Sequence, residues 1–382
     1  MMKKLLLLLL CCVLLLTACA FASAEVSLTS INVGKADCHL LTLGEQVFMV
    51  DTGSAESWGM VSRALRILGI DHLNGVILTH TDKDHAGGMQ ALAISSIKVD
   101  AWYSSAYYTD VKEKKHPAVK ATALRGTQVQ WLQAGDTIPA GAYTLQVLAP
   151  SSLDEDNENN NSVVLYLQAA EGSLLLMGDT EEGGEAELLT KGVLSPVTVL
   201  KVGHHGEGDA SSKDFIRAVR PAAAVISTNT AEEPDTPSQK VLRRLDEVGS
   251  LVLQTQEVDG AVRVTLTGGT PQAEYITFTP PTETSNVILA DKSVAQDAVT
   301  LRNDGNVEAD LSGWYIYSEK GKEIFVFPDG ATLAPGASCT VGTQTTDSIV
   351  DYLWPDARVW HETKPDTAIL YNAYGQEVSR LE

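Results

Sequence analysis

Positive charge, cysteine and long apolar runs are what this sequence has little of. Lysine and arginine total 28 against 49 aspartates and glutamates, a net charge of −21. That balance argues against tight, non-specific binding to nucleic acid through a broad basic face. It leaves a nuclease open, because bound divalent cations reverse the field locally. Of the 5 cysteines, Cys11, Cys12 and Cys19 lie at the N-terminus, and only Cys38 and Cys339 remain in the body. Those two fall in what read as different domains, which argues against a disulfide framework. Cys38 reads as a small buried side chain rather than a ligand. The longest apolar run, residues 5–16, is too short for an ordinary membrane span, and nothing indicates a transmembrane channel.

What is present begins with a targeting segment. Lys3-Lys4 precede the Leu-rich run, and Leu16-Thr17-Ala18-Cys19 reads as a bacterial lipobox in which Cys19 is lipidated. The competing reading is plain secretion, with cleavage after Ala22-Ser23-Ala24. Residues 1–18 are therefore expected to be a lipoprotein signal peptide. The rest is expected at the extracellular face of the bacterial cytoplasmic membrane, touching the membrane only through a lipid anchor on Cys19, or secreted.

A chain of 382 residues predicts about two domains. From Val26 to about Phe278 strands alternate with helices. Gln46–Val50 is an apolar strand ending in Asp51-Thr52-Gly53, and residues 57–68 carry helical spacing through Val61, Leu65 and Leu68. Gly75–His80 is a further strand, followed by Thr81-Asp82-Lys83-Asp84-His85-Ala86-Gly87-Gly88 and a helix from Met89. The Gly pair is expected to let the backbone turn tightly. Strands at 162–168, 173–177, 197–202, 222–227 and 251–254 follow, with helices at 212–219, capped by Ser211 and Asp214, and at 238–248. Residues 279–286 read as a linker. Beyond it, short alternating segments between Gly, Pro, Asp and Asn turns predict a β-sandwich over 287–382.

Four strand runs of the first domain end in polar groups: Asp51, the His80 loop, Asp179 and His204-His205. One such ending is ordinary turn chemistry. Four in one domain, with His80, Asp82, Asp84 and His85 packed into six positions, point to a metal, because clustered carboxylates repel one another without a cation.

The loop resembles the His-x-His-x-Asp-His signature of the metallo-β-lactamase fold superfamily, with Asp82 where its second histidine stands. That variant is similar to the branch of ComEC-type competence proteins and bacterial phosphorylcholine esterases. Ile31-Asn32-Val33-Gly34-Lys35-Ala36-Asp37, Val50-Asp51-Thr52-Gly53, Asn160-Asn161-Ser162, Met177-Gly178-Asp179 and Lys201-Val202-Gly203-His204-His205-Gly206 agree with the branch in order. The resemblance covers about residues 26–270. It implies an α/β fold, a four-layer αββα sandwich, as the hydrolase domain over 25–278. It also implies two divalent metal ions, Zn or Mn, at one centre. His80 and Asp82 would face one ion, Asp84 and His85 the other; Asp179 would bridge, and His205 would complete the second site. Asp84 and His204 would be catalytic, His204 facing substrate or a leaving oxygen, and Asn161 would contact substrate. Asp51 would hold the ligand loop rather than meet a metal.

Departures from the pattern bear on substrate. His116, the candidate for an extra ligand before Asp179, lies in a Lys-rich stretch read as exposed. Glu207 stands where relatives often have Ser, and Asp235-Thr236-Pro237 where they often have His-Pro. The aromatics Trp102, Tyr103, Tyr107 and Tyr108 beside Lys112, Lys114 and Lys115 offer a stacking platform or a pocket wall.

The C-terminal segment resembles a lamin-tail domain, an immunoglobulin-like β-sandwich. The resemblance rests on Leu301-Arg302-Asn303-Asp304-Gly305, Asp310-Leu311-Ser312-Gly313-Trp314, Leu333-Ala334-Pro335-Gly336 and Tyr371-Asn372-Ala373-Tyr374-Gly375. Trp314 is expected between its sheets, and its binding partner is unknown. Two readings follow. One is an exported hydrolase of a phosphodiester or phosphoester, in nucleic acid, a cell-wall component or a small nucleotide. The other is a surface binding protein with a structural metal site and a ligand-binding tail. The open, carboxylate-rich ligand set favours the enzyme.

Overall fold

The computed structural model describes residues 25–346 and 349–382. The lipobox and the alternative cleavage site lie outside them. Apolar strands pair as the alternation predicts. In the first sheet the order is Thr270–Thr277, Gly260–Thr267, Val26–Ile31, His39–Leu43, Gln46–Val50, Gly75–Leu78, Trp102–Ser105 and Val129–Leu132. The second runs Leu251–Gln254, Ala223–Ile226, Val199–Lys201, Ser173–Leu176, Val164–Gln168, Tyr143–Ala149 and Thr137–Ala140.

Three apolar clusters give the layers. One lies between the sheets, with Leu28, Phe48, Ile77, Leu165, Leu176 and Val225 from opposite faces. A second packs helices Trp58–Ile67 and Met89–Ile94 on the outside of the first sheet. The third packs Leu188, Phe215, Ile216, Val241 and Leu245 of helices Glu182–Lys191, Lys213–Val219 and Gln239–Glu247 on the second. This is the αββα sandwich expected.

Around the site, Gln46–Val50 pairs parallel with Gly75–Leu78, and Ser173–Leu176 parallel with Val199–Lys201. The carboxyl ends of these strands gather on one edge of the sandwich, where open α/β sheets place their ligands.

Local departures from expectation have physical causes. Helix Lys213–Val219 is capped by Ser212, whose Oγ accepts from the Phe215 amide, while Ser211 is fully buried one position earlier. Gly87 and Gly88 keep helical dihedrals and need no turn. They are glycines for space: a Cβ at Gly87 would sit 2.4 Å from the Ala55 nitrogen, and one at Gly88 2.4 Å from the Thr52 carbonyl. His116 is buried, not exposed. Its Nδ1 accepts from the Ala118 amide at 3.2 Å, capping helix Pro117–Arg125, and its ring packs against Tyr108 and Trp131. Trp102 and Tyr103 are buried in the first sheet, so neither offers a stacking face; Trp131, partly exposed, stacks on Tyr108 instead. Cys38 and Cys339 are free and buried.

No regular element lies between Thr277 and Val287. Beyond it, the strand set Val287–Ser293, Ala298–Asn303, Ser338–Gly342 and Tyr352–Leu353 faces the set Ile324–Val326, Tyr315–Ser318, Ala368–Tyr371 and Glu377–Leu381. Trp314 lies in the core between them with Phe325, Phe327, Trp354 and Trp360, an immunoglobulin-like sandwich. Its outer face is not free. Tyr315, Tyr317, Ile324, Val326 and Ile369 join the apolar cluster of helix Trp58–Ile67. Ser62 Oγ donates to the Ala373 carbonyl at 2.8 Å and Arg63 Nε to the Tyr374 carbonyl at 2.8 Å. Five buried apolar side chains at about 1.5–3 kcal/mol each outweigh any surface ion pair at about 0–1 kcal/mol. Packing therefore fixes the tail on the first domain. Among the described residues no helix is long and apolar enough to cross a membrane.

Candidate metal centre

Two of the four polar strand endings are placed by backbone that few residues tolerate. Asp51, His204 and His205 all have positive φ, at 59°, 47° and 51°. Three non-glycine residues held there at one edge of the sandwich mark a site whose surroundings enforce the geometry.

Asp84, His85, Asp179 and His205 converge, each offering a ligand atom within 4.8 Å of the others. Asp179 Oδ2 lies 3.1 Å from His85 Nε2 and 3.3 Å from His205 Nε2, and Asp84 Oδ2 lies 3.4 Å from His205 Nε2. His80 stands beside them, its ring centroid 4.1 Å from that of His85, and Asp82 Oδ2 is 3.7 Å from His80 Nε2. Of the six sequence-picked ligands, Asp84, His85, Asp179 and His205 thus converge, His80 lies against His85, and Asp82 reaches only His80.

The far side of each ring is held. His85 Nδ1 donates to Asp51 Oδ2 at 2.8 Å, and Asp51 also accepts from the Thr79 amide and hydroxyl. His205 Nδ1 faces the Ser227 carbonyl at 3.1 Å and Asp37 Oδ1 at 3.6 Å. Such partners fix the tautomer that leaves Nε2 free to bind. The Nε2 atoms of His80, His85 and His205 and Oδ1 of Asp179 are buried without a hydrogen-bond partner. Buried polar atoms without partners carry a desolvation penalty. Three imidazole nitrogens and one carboxylate oxygen gathered beside Asp84 would meet that demand by binding cations, so the donor set fits a dinuclear metal cluster.

Protonation follows the same field. Burial alone would lower the His205 pKa, but the carboxylates of Asp179 and Asp37 raise it to about 9. Burial would raise Asp84, yet the hydrogen bond to His205 and the charges of His85 and His205 bring it down to about 2. Asp179, buried, is held well below the usual carboxylate range by His85 and His205. The carboxylates are ionised and ready for a cation.

His204 stands apart from the four. Its Nδ1 is 3.0 Å from Asp209 Oδ1 and 3.7 Å from Glu181, while Nε2 is 3.6 Å from Glu207 and 3.4 Å from Asn159 Nδ2. It is partly exposed at the rim. Asn161, picked as a substrate contact, is fully buried, and its amide is spent inside its own loop. It accepts from the Asp154 amide at 2.9 Å and donates to the Asp154 carbonyl at 3.0 Å. Asn159, two positions earlier, reaches the site rim instead.

Sequence reasoning missed Asp37 and Lys201, an ion pair in which both side chains are 1% exposed. Asp37 adjoins His39 as well as His205. A lysine at the end of an apolar strand reads as solvent-facing. Only its place beside the opening-strand aspartate, 164 positions away in sequence and adjacent in space, reveals the pair.

Comparison with known proteins agrees with this architecture. The model of the metallo-beta-lactamase superfamily matches residues 31–230, and that of the lamin tail domain residues 280–382. ComE operon protein 3 of Bacillus subtilis is 28% identical over 289 residues, 69% of this chain and 36% of that protein. Competence protein ComA of Neisseria gonorrhoeae is 28% identical over 257 residues, 66% of this chain and 34% of that protein. The chain spans about a third of the length of these ComEC-type relatives. Among solved structures, CmlA, a diiron beta-hydroxylase from Streptomyces venezuelae, aligns with a TM-score of 0.40 and 14% identity over 63% of this chain and 54% of that chain. With more than half of its length matched, the chain belongs to the metallo-beta-lactamase superfamily and carries a lamin tail domain behind that fold.

Proposed function

We propose that this protein is an exported, metal-dependent phosphodiesterase. The observation that carries the reading is the convergence of Asp84, His85, Asp179 and His205, with His85 Nε2, His205 Nε2 and Asp179 Oδ1 buried and without a hydrogen-bond partner. In this reading His80, Asp82, Asp84, His85, Asp179 and His205 hold two divalent ions, Zn or Mn. When bound, the ions supply Lewis acidity and neutralise charge on the phosphoryl oxygens.

The chain's own groups do the rest. Asp51 and the Ser227 carbonyl orient His85 and His205. Asp179 is held by its own amide, which donates to Ser162 Oγ at 3.1 Å. Asp84, partly exposed beside His205, would accept the proton of the attacking water. His204, steadied by Asp209, stands at the rim where its other nitrogen donates to the leaving oxygen. Asp82 in place of a second histidine makes the ligand set richer in oxygen. That supports Mn as well as Zn and favours phosphoester over β-lactam chemistry. Export, by lipidation of Cys19 or by secretion, rests on the N-terminal pattern.

The test is to purify the mature chain, measure bound metal, and assay a phosphodiester panel with added Zn or Mn. Asp84→Ala and Asp179→Ala should lower kcat/KM by about 10³-fold, the scale of several kcal/mol of lost charge stabilisation. Hydrolysis unchanged in both variants would sink the mechanism. Stoichiometric metal with no ester cleaved would assign the chain to the binding-protein reading.

A further inference from the structure

The lamin-tail sandwich does more than sit behind the hydrolase. Its turn carrying Gly321 and Lys322 and the first domain's Glu56, Lys83, Asp84, Lys115 and Lys120 line one cleft of about 640 Å³. Asp84 belongs both to this cleft and to the metal centre. The turn cannot drift away from it. The Cα of Gly375 in the tail would lie 2.9 Å from a Cβ built on Gly59, and Arg66 Nη2 donates to the Ser312 carbonyl at 3.0 Å. Lys322 is joined to Glu56 at 2.9 Å across the same seam.

Charge is unevenly spread around the site. The chain carries −21 overall, yet four lysines line this one cleft with Glu56 and Asp84; Lys322 is paired with Glu56, while Lys83, Lys115 and Lys120 form no ion pair among the described residues and leave the cleft an excess of positive charge. The rim at His204 is acidic. Glu181, Glu207 and Asp209 surround His204, and the nearby Lys35 is neutralised by Glu207 at 2.9 Å and Glu233 at 3.3 Å. A substrate with phosphates beyond the reacting one is repelled from the His204 rim and drawn to the lysine side. Next to Lys115, His116 packs against the stacked pair Tyr108 and Trp131, whose centroids are 5.7 Å apart. An exposed aromatic beside a lysine groove suits a polymer that carries bases.

We infer that the tail domain is the second wall of the substrate cleft, and that Lys322 with Lys83, Lys115 and Lys120 takes the phosphates of a nucleic-acid strand leading away from the metal centre. The inference rests on the phosphodiesterase reading for its chemistry, but its geometry is separate.

Two readouts on the intact mature chain test it. In EDTA, fluorescence anisotropy follows binding of fluorescein-labelled dT12. With Mn, kcat/KM is compared for dT12 and for bis(p-nitrophenyl) phosphate, which has no second phosphate. Lys322→Ala should weaken dT12 binding about 3- to 10-fold at low salt and flatten the salt dependence by about 0.7 in the logarithmic slope, the single-strand value per phosphate contact. The ratio of the two kcat/KM values should fall with it. Lys322→Arg should retain most of the binding, which separates lost charge from a misfolded turn. An unchanged salt slope and ratio in Lys322→Ala would overturn the inference, as would capture of poly(glycerol phosphate) in preference to dT12. If no ester is cleaved by any form while dT12 binding still depends on Lys322, the phosphodiesterase reading fails and the cleft stands.

Discussion

His85 Nδ1 and Asp51 Oδ2 stand 2.8 Å apart, and the other nitrogen of the same ring faces Asp179 at 3.1 Å. Asp51 therefore fixes which nitrogen of His85 carries the proton and which is free for a cation. Removing such a partner typically lowers metal affinity about 10- to 100-fold. Asp51→Ala should lie in that range by competition with a chelator, with a far-UV spectrum like that of the parent. Wild-type affinity in a folded Asp51→Ala protein would show that the ring needs no orienter.

Most of the site was legible because it is written in short segments. His80, Asp82, Asp84 and His85 occupy one loop, and His204-His205 another, each ending an apolar strand. The αββα alternation and the tail's turn-rich pattern were legible for the same reason. What escaped depends on distance. His116 reads as exposed because its neighbours are lysines, but Tyr108 and Trp131 from elsewhere in the chain enclose it. Asn161 and Asn159 look equivalent in a polar run, and only the fold of the 154–161 loop turns one inward and the other to His204. Lys201 declares its role only beside Asp37, and the packing of helix Trp58–Ile67 against the tail is invisible to any local pattern.

The Asp37–Lys201 pair gives a stability prediction. Burial would raise the Asp37 pKa, but Lys201, His39 and His205 hold it well below the usual range, so the buried carboxylate is charged. Lys201→Met leaves that charge without its main partner, which typically destabilises by about 3–5 kcal/mol. The double variant Asp37→Asn, Lys201→Met should recover a large part of the loss, since two neutral groups need no mutual compensation. Urea unfolding of the two variants measures this. A loss below about 1 kcal/mol in the single variant would contradict a structural role for the pair.

His116 predicts a pH dependence away from the metal centre. Burial lowers its pKa from 6.5 to about 4, with Glu158 opposing weakly. The fold thus favours the neutral ring. The stability it contributes is fully present above the unfolded value near 6.5 and is lost as pH falls toward 4, because the unfolded chain binds the proton first. Between pH 7 and 4.5 the wild type should lose about 2 kcal/mol more than His116→Asn, in which the cap remains polar and nothing titrates. Chemical unfolding at the two pH values gives the comparison. Equal losses in both proteins would place the ring in water.

Gly59 offers a prediction whose sign decides whether the tail is docked. Gly59 lies inside helix Trp58–Ile67, and in an ordinary helix replacing glycine by alanine gains about 1 kcal/mol. Here the added methyl would meet the Tyr315 hydroxyl at 2.6 Å and Gly375 Cα at 2.9 Å, both in the tail. The neighbour at Gly375 is backbone and cannot rotate aside, so the sandwich must shift. Overpacking of this kind costs about 1–3 kcal/mol, which exceeds the helical gain. Gly59→Ala should therefore lower stability and uncouple the two domains, splitting a single calorimetric transition into two. If the seam were loose, the same substitution would raise the Tm, because only the helix would register the change. A raised Tm would also remove the fixed position of Lys322 beside Asp84, and with it the second wall of the cleft.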